Sequence, residues 1–422
     1  MSLANYRTLL RSYGRYLAFG GWHSFYSGVG QTYLIALFLP ALCLHYNATT
    51  AEMALFYSVA TLASAFALPV VGGWIDKVNL RLYSALNGVA AALACFITAF
   101  APSMPVAFLG INWEPMAMLG LFLLRLTGQG LMGHICSTSV GRYFGRNRGK
   151  AMSISDQGHS MGEFVLPVLM VWLITTLGWQ HTFAVMGLSC LLLFIPVSLA
   201  LVRRGDDFQH PGRTAEPENH HADEEHWTRH QLLRSPYFYL VLPLACMGAF
   251  ALTGLFFLQT VISVAKGWPE FWLATCFAVF PVCVLVSGLL VGPFIDTIGA
   301  RRIFPFQGLP LALGVAVLAV ADTPWLAPLY LALSGVSVGV SKTVTSAMWA
   351  EIYGTRHLGA IRSTAVTVMI FATAVSPVLF GVLLELQMPV NLLLWGLAAF
   401  IASTTVPALL APLPRRRRGG AS

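Results

Sequence analysis

Apolar residues in this chain come in long runs, each closed by a short polar turn. Twelve runs approach or exceed the roughly 20 residues that a helix needs to cross a bilayer. They lie at 16–44, 51–75, 82–101, 116–141, 150–176, 180–202, 237–264, 271–295, 303–321, 326–350, 360–384 and 390–412. This pattern predicts an all-α integral membrane protein of twelve transmembrane helices. One connection is unlike the others. Residues 203–236 are polar, rich in His, Glu and Asp, and contain Pro211 and Pro217. They separate six spans from six and read as a flexible cytoplasmic linker. The expected organisation is therefore a first six-helix half over 1–202, a linker over 203–236, and a second half with a basic tail over 237–422.

Composition agrees with that reading. Hydrophobic residues make up 57% of the chain and charged residues 10%, against about 25% charged in a soluble protein. Such a chain cannot cover its surface in water, so the lipid bilayer is part of its solvent. The run at 16–44 is too long for a signal-peptide core and reads as the first transmembrane helix.

The net charge of +8 would suggest a nucleic-acid partner in a soluble domain. Its distribution gives a different account. Twenty-two of the 25 Lys and Arg fall in alternate connections or at the termini. The opposite connections hold Lys266, and the remaining two, Arg125 and Lys342, lie inside predicted helices. The positive-inside rule then puts both termini in the cytoplasm. The short loops suit a bacterial inner membrane, and a monomer is the expected functional unit. The seven cysteines lack paired metal-ligand spacing and read as small buried hydrophobes. The linker histidines read as solvated polar residues. No metal or cofactor is expected.

Two short sequences recur. Gly72-Gly73-Trp74-Ile75-Asp76-Lys77-Val78-Asn79-Leu80-Arg81 returns as Gly292-Pro293-Phe294-Ile295-Asp296-Thr297-Ile298-Gly299-Ala300-Arg301-Arg302. Tyr143-Phe144-Gly145-Arg146-Asn147-Arg148-Gly149-Lys150-Ala151 returns, with one residue inserted, as Ile352-Tyr353-Gly354-Thr355-Arg356-His357-Leu358-Gly359-Ala360. Internal repeats of this kind mark duplicated membrane halves.

With twelve spans in two related halves, the chain resembles the major facilitator superfamily over essentially its whole length. Gly72, Asp76 and Arg81 match that family's G-x-x-x-D-x-x-x-x-R turn, with Asn79 in place of the usual glycine. The copy at 292–302 retains Gly299. Arg125-Leu126-Thr127-Gly128-Gln129-Gly130 resembles the family's R-x-x-x-G pattern with its glycines displaced by one. Gly158-x-x-x-Gly162 with Pro167 resembles an antiporter motif, with Glu163 where a proline is usual. The turns at 143–146 and 353–361 look closest to the branch of monocarboxylate porters and oxalate–formate antiporters. The resemblance implies a gating role for Gly72, Asp76, Arg81, Asp296, Arg301 and Arg302. In it, Asp76 faces the start of span eleven near Gly359 to Arg362. Asp296 faces the start of span five near Gly149.

Charges inside a bilayer are costly unless paired or set along an aqueous path. Arg125 and Glu163 fall at matching depth on consecutive antiparallel spans, as do His134 and Asp156. For Arg125 and Glu163 two readings stand: a pair tying helices together, or an anion-attracting guanidinium beside a titrating carboxyl. Lys342, in a helix of small residues, is either a second anion contact or a side chain snorkelling to the interface. His134 and Asp156, with His159 one turn on, are either satisfied polar groups or proton-coupling groups. In the first span, Tyr26 and Gln31 are candidate substrate contacts, with helix–helix bonding the alternative.

No G-x-x-x-x-G-K-[ST] run, nucleophile elbow or zinc-ligand spacing is present, which speaks against ATP drive and against an enzyme. The leading expectation is a secondary transporter that moves a small organic anion with protons by alternating access. The alternative is a proton-driven exporter of an amphipathic drug or metabolite.

Overall fold

The structure is a computed structural model that describes residues 3–144, 148–203, 227–354 and 358–412. Among the described residues, eleven helices are long and apolar enough to span a membrane: Thr50–Ile75, Leu80–Phe100, Pro115–Val140, Ala151–Leu177, Trp179–Leu201, Pro236–Phe257, Trp272–Ile295, Ala300–Val320, Pro324–Tyr353, Thr364–Glu385 and Val390–Leu410. A bent pair, Arg11–Gly30 with Thr32–His45, precedes them and is the first of twelve spans. Large apolar side chains such as Phe66, Leu192 and Leu289 stand on the surface, where lipid tails are their natural neighbours.

Local sequence sets the helix ends. Thr49 and Glu52 form a reciprocal capping box that starts the second span, satisfying two backbone donors at once. Asn79 starts the third, its side-chain oxygen accepting from the Arg81 N–H at 2.9 Å. In the repeated turn this position is Gly299, at φ +91° and ψ +142°, a region other residues enter only at a cost of about 1–3 kcal/mol. The two copies thus make the same bend by different means, a side-chain cap in one and a positive-φ glycine in the other.

Between the third and fourth spans the chain forms a short antiparallel hairpin, Val106–Phe108 with Ile111–Trp113. The apolar runs at 82–101 and 116–141 give no hint of it. A six-residue ladder beside long helices leaves no distinctive hydropathy signal.

The chain divides into two compact units, Met1–Pro217 with Phe256–Ser263, and Glu218–Leu255 with Val264–Ser422. Two details differ from the expected boundaries. The seventh span breaks after Phe257, and Gln259–Ala265 starts a new helix. Residues 256–263 lodge in the first unit, where Gln259 Nε2 donates to the Tyr33 carbonyl at 2.9 Å. The expected linker also contains packed structure. Thr228 and Gln231 cap a short helix, Arg229–Leu233, and the Trp227 N–H donates to the Tyr353 carbonyl. Leu232 is fully buried in the second unit's core.

Within the first unit, Gly158 and Gly162 set the fifth span against the backbone of the first at Gly21 and Phe25. The apparent antiporter motif is thus a helix-packing surface.

Candidate functional site

The first span loses its helix partway along its length. Ser27–Gly30 tightens to a 3₁₀ turn, Gln31 is extended (φ −82°, ψ 149°), and the helix resumes at Thr32. The two segments differ in direction by 43°. Against this break lies a π-helical stretch of the fourth span, Arg125–Met132. π-Helical turns are rare and concentrate at functional sites. The two irregular segments touch backbone to backbone: a Cβ on Gly128 would sit 2.4 Å from the Gly30 nitrogen. No side chain fits there, so Gly128 is required by close approach.

Arg125 opens the π stretch and is 3% exposed. One guanidinium nitrogen, Nη1, donates to the Gly30 carbonyl at 3.0 Å and to Thr32 Oγ1 at 3.4 Å. The guanidinium carbon lies 5.1 Å from the centre of the Tyr57 ring, within cation–π range. Thr32 and Tyr57 share a 2.7 Å hydrogen bond between their hydroxyls. Arg125 Nε is buried without a partner among the described residues. No described carboxylate pairs with this guanidinium.

The expected Arg125–Glu163 pair is therefore not formed. Glu163 Oε1 instead lies 3.3 Å from Nε2 of His159, one turn earlier on its own helix. Equal depth does not mean equal direction. The π stretch adds residues per turn to the fourth span, so Arg125 points to the first and second spans rather than the fifth. His134 and Asp156 likewise do not pair. His134 Nε2 bonds the Gly72 carbonyl at 3.1 Å, and Thr138 Oγ1 lies 3.4 Å from its other nitrogen. Asp156 is exposed. His134 therefore serves the end of the second span.

The remaining candidates are dispersed. The hydroxyl of Tyr26 donates to the Ser189 carbonyl at 3.4 Å, and its ring packs on Trp22 and Phe194. Gln31 is half-buried, and its carbonyl accepts from Leu34 and Ile35 to restart the helix. Lys342 is exposed and has no hydrogen bond or ion pair among the described residues. Arg81 donates to the Leu199 and Val202 carbonyls, capping the sixth span. The Arg301 N–H donates to Glu351 at 3.3 Å. Arg302 is exposed, and Gly72 is buried under His134. The side chains of Asp76 and Asp296 lie outside the described residues.

Sequence reasoning missed several members. His159 and Glu163 carry the i,i+4 spacing of helix neighbours, a signal present in the sequence but passed over for the long-range partner. Thr32, Tyr57 and Gln259 gave no local signal, because their roles depend on which helices meet.

Two helical halves' worth of spans, a repeated charged turn and a buried intramembrane guanidinium define a membrane carrier rather than an enzyme. The sequence model of the Major Facilitator Superfamily matches residues 24–321, and the chain belongs to that family. Curated relatives include human monocarboxylate transporter 6, 26% identical over 36% of this chain and 28% of its own length. The mouse protein is 29% identical over 40% and 34%. Human monocarboxylate transporter 14 is 27% identical over 30% and 23%. The matched stretch spans about a third or less of these relatives. Similar solved structures include a bacterial homologue of the human lysosomal transporter Spinster (TM-score 0.64, 14% identity, 94% of both chains). The nucleoside transporter NupG is another (TM-score 0.65, 13% identity, 94% of this chain and 96% of that one). These likenesses show the fold.

Proposed function

We propose that this protein is a secondary transporter of a small organic anion of the monocarboxylate type, coupled to protons and working by alternating access. The observation that carries the reading is Arg125. A guanidinium buried in the membrane without a counter-charge is unfavourable by several kcal/mol. Its free Nε–H edge has the geometry to bind a carboxylate, and it stays charged at any physiological pH. An arriving carboxylate would supply the missing charge. The partial likeness to monocarboxylate transporters supports the same substrate class. Lys342, exposed and unbonded among the described residues, is the second unit's candidate anion contact. The charge census supports cytoplasmic termini and the short loops suit a bacterial inner membrane, and we retain a monomer as the working unit.

The test is thermal stabilisation of the purified protein by a panel of monocarboxylates. At least one member should raise the melting temperature, and Arg125→Ala should remove that rise. Stabilisation that survives Arg125→Ala, or is produced by amphipathic cations instead, would refute an anion site here.

A further inference from the structure

The hairpin between the third and fourth spans takes no part in the Arg125 cluster, yet it is built with care. Its register pairs Val106 with Trp113 and Phe108 with Ile111. Residues directly opposite each other share a face of the ladder, as do residues two apart on one strand. Val106, Phe108, Ile111 and Trp113 therefore form one apolar face, and Ala107 and Asn112 form the other. Leu109 and Gly110 make the turn, at φ +52° and +75°. Positive φ at both central residues marks a type I′ turn, where Asn-Gly or Asp-Gly is usual. A leucine held there is strained, and this one is 82% exposed. Val106 and Phe108 are exposed as well. In water, the turn would carry strain and its apolar tip would gain nothing.

The hairpin is braced rather than loose. Glu114, buried at its base, accepts from Ser103 Oγ at 2.6 Å and from the Met104 N–H at 3.0 Å. The Trp113 indole N–H donates to the Phe108 carbonyl at 3.1 Å, and its ring centre lies 5.8 Å from that of Phe56 on the second span. The hairpin is also held at the membrane surface. The third span ends at Phe100 and the ladder opens at Val106; the ladder closes at Trp113 and the fourth span starts at Pro115. On the third span, Leu86, Leu93 and Phe100 are exposed and recur every seven residues, so they lie along one face. This lipid-facing row does not stop with the helix, because exposed Met104, Val106, Phe108 and Leu109 continue it. No Asp, Glu, Lys, Arg or His occurs from Leu82 to Trp113.

We infer that this hairpin is an interfacial anchor whose occupant is phospholipid. Its Val106–Phe108 face and Leu109 tip sit at the boundary between headgroups and acyl chains, in the leaflet opposite the basic connections. The depth follows from two opposing demands. The outer edge of a two-stranded ladder has unpaired backbone groups, which hydrocarbon does not tolerate and hydrated headgroups satisfy. The apolar side chains gain by reaching the acyl chains below. Trp113, with an apolar ring and a polar N–H, suits the level between them. The hairpin carries no cation, so it has no need of anionic lipid. Arg125 follows Pro115 by ten residues, about 15 Å of helix, or half of a hydrocarbon core roughly 30 Å thick. An anchor at the start of the fourth span thus fixes the depth of Arg125, whatever cargo that residue meets.

The test uses the full-length protein in nanodiscs of phosphatidylethanolamine, with and without phosphatidylglycerol. The photoreactive residue benzoylphenylalanine replaces Phe108, Leu109 or Asn112 in turn, and adducts are read by mass spectrometry. Positions 108 and 109 should give phospholipid adducts in about tenfold excess over position 112, whose side chain stands on the other face. The yield should not depend on phosphatidylglycerol. Equal yields at the three positions overturn the anchor. So do adducts formed mainly with another stretch of this chain or with a second copy of it, and so does a requirement for phosphatidylglycerol. A further variant isolates the tip. Leu109→Asn keeps the turn, since Asn-Gly is the favoured type I′ pair, but removes the apolar side chain. It should lower the lipid adduct at position 108 severalfold; an unchanged yield overturns the role of the tip.

Discussion

Each unit carries one cation deep inside a predicted span, and the two are held in opposite ways. Arg125 is buried, hydrogen-bonded through one nitrogen and stacked on Tyr57. Lys342 is exposed and makes no bond among the described residues. A third cation sharpens the contrast. Lys266, just past the Gln259–Ala265 helix, donates to the Ala319 and Ala321 carbonyls and to Asn391. It caps the ninth span, as a cation at a helix C-terminus should. A rare charge in a membrane protein is therefore not by itself a site. Lys266 has its full set of acceptors, Lys342 has none, and Arg125 is buried with its hydrogen-bonding capacity only partly used. The last condition is the one that calls for a ligand.

The largest effect expected is on packing beneath Arg125. Gly128→Val drives a side chain into the Gly30 backbone and should destabilise the first unit by about 3 kcal/mol or more, read as lost folded yield or a lower melting temperature. Next comes the contrast between the two cations. Arg125→Leu should weaken carboxylate binding about 10- to 100-fold, the scale of charge-assisted hydrogen bonds worth about 1.5–3 kcal/mol. The ligand-free melting temperature should not fall, because an uncompensated charge is removed. Lys342→Ala should weaken binding less than tenfold, as expected of an exposed charge. Equal losses in the two variants would erase the contrast.

The repeated turn gives a finer test. Gly299→Ala should cost about 1–3 kcal/mol, because its positive-φ, extended-ψ backbone suits glycine alone. Asn79→Ala should cost about 1 kcal/mol from the lost cap, and Asn79→Gly only a few tenths. The smallest effect concerns Lys266, whose pKa burial lowers against an opposing pull from Asp322. Its folded pKa lies below the unfolded one, so the folded protein releases that proton first. Stability should therefore rise slightly as pH climbs from the lowered value toward about 10.4. Lys266→Met should flatten that alkaline rise in melting temperature.

Much of the fold was legible because hydropathy and charge are both periodic on the scale of a bilayer. The repeated turns at 72–81 and 292–302 are the sequence sign of two related halves. Arg125 was legible for a simple reason: a guanidinium so deep in an apolar run needs a purpose. Its partner was not. Summed residue numbers give depth along a helical hairpin but no direction around the helix, and the π stretch changes that direction further. Glu163 was assigned across the hairpin when its partner, His159, stood four residues away on the same helix. Gln259 carries no local signal, yet it is buried and bonded to Tyr33, a contact between residues more than two hundred positions apart. Such contacts are set by which spans meet, and local sequence does not carry them.

The break in the first span has a mechanical meaning. Arg125 bonds Gly30 on one side of Gln31 and Thr32 on the other, so one side chain acts as a staple across a hinge. A carboxylate that draws the guanidinium toward itself competes with both ends of that staple. On the proposed function, the group that recognises the cargo would also be the one that bridges the break, across which the two segments differ in direction by 43°. Occupancy and freedom to bend would be reported by the same atoms, and cargo arrival would need no separate relay to be felt along the helix.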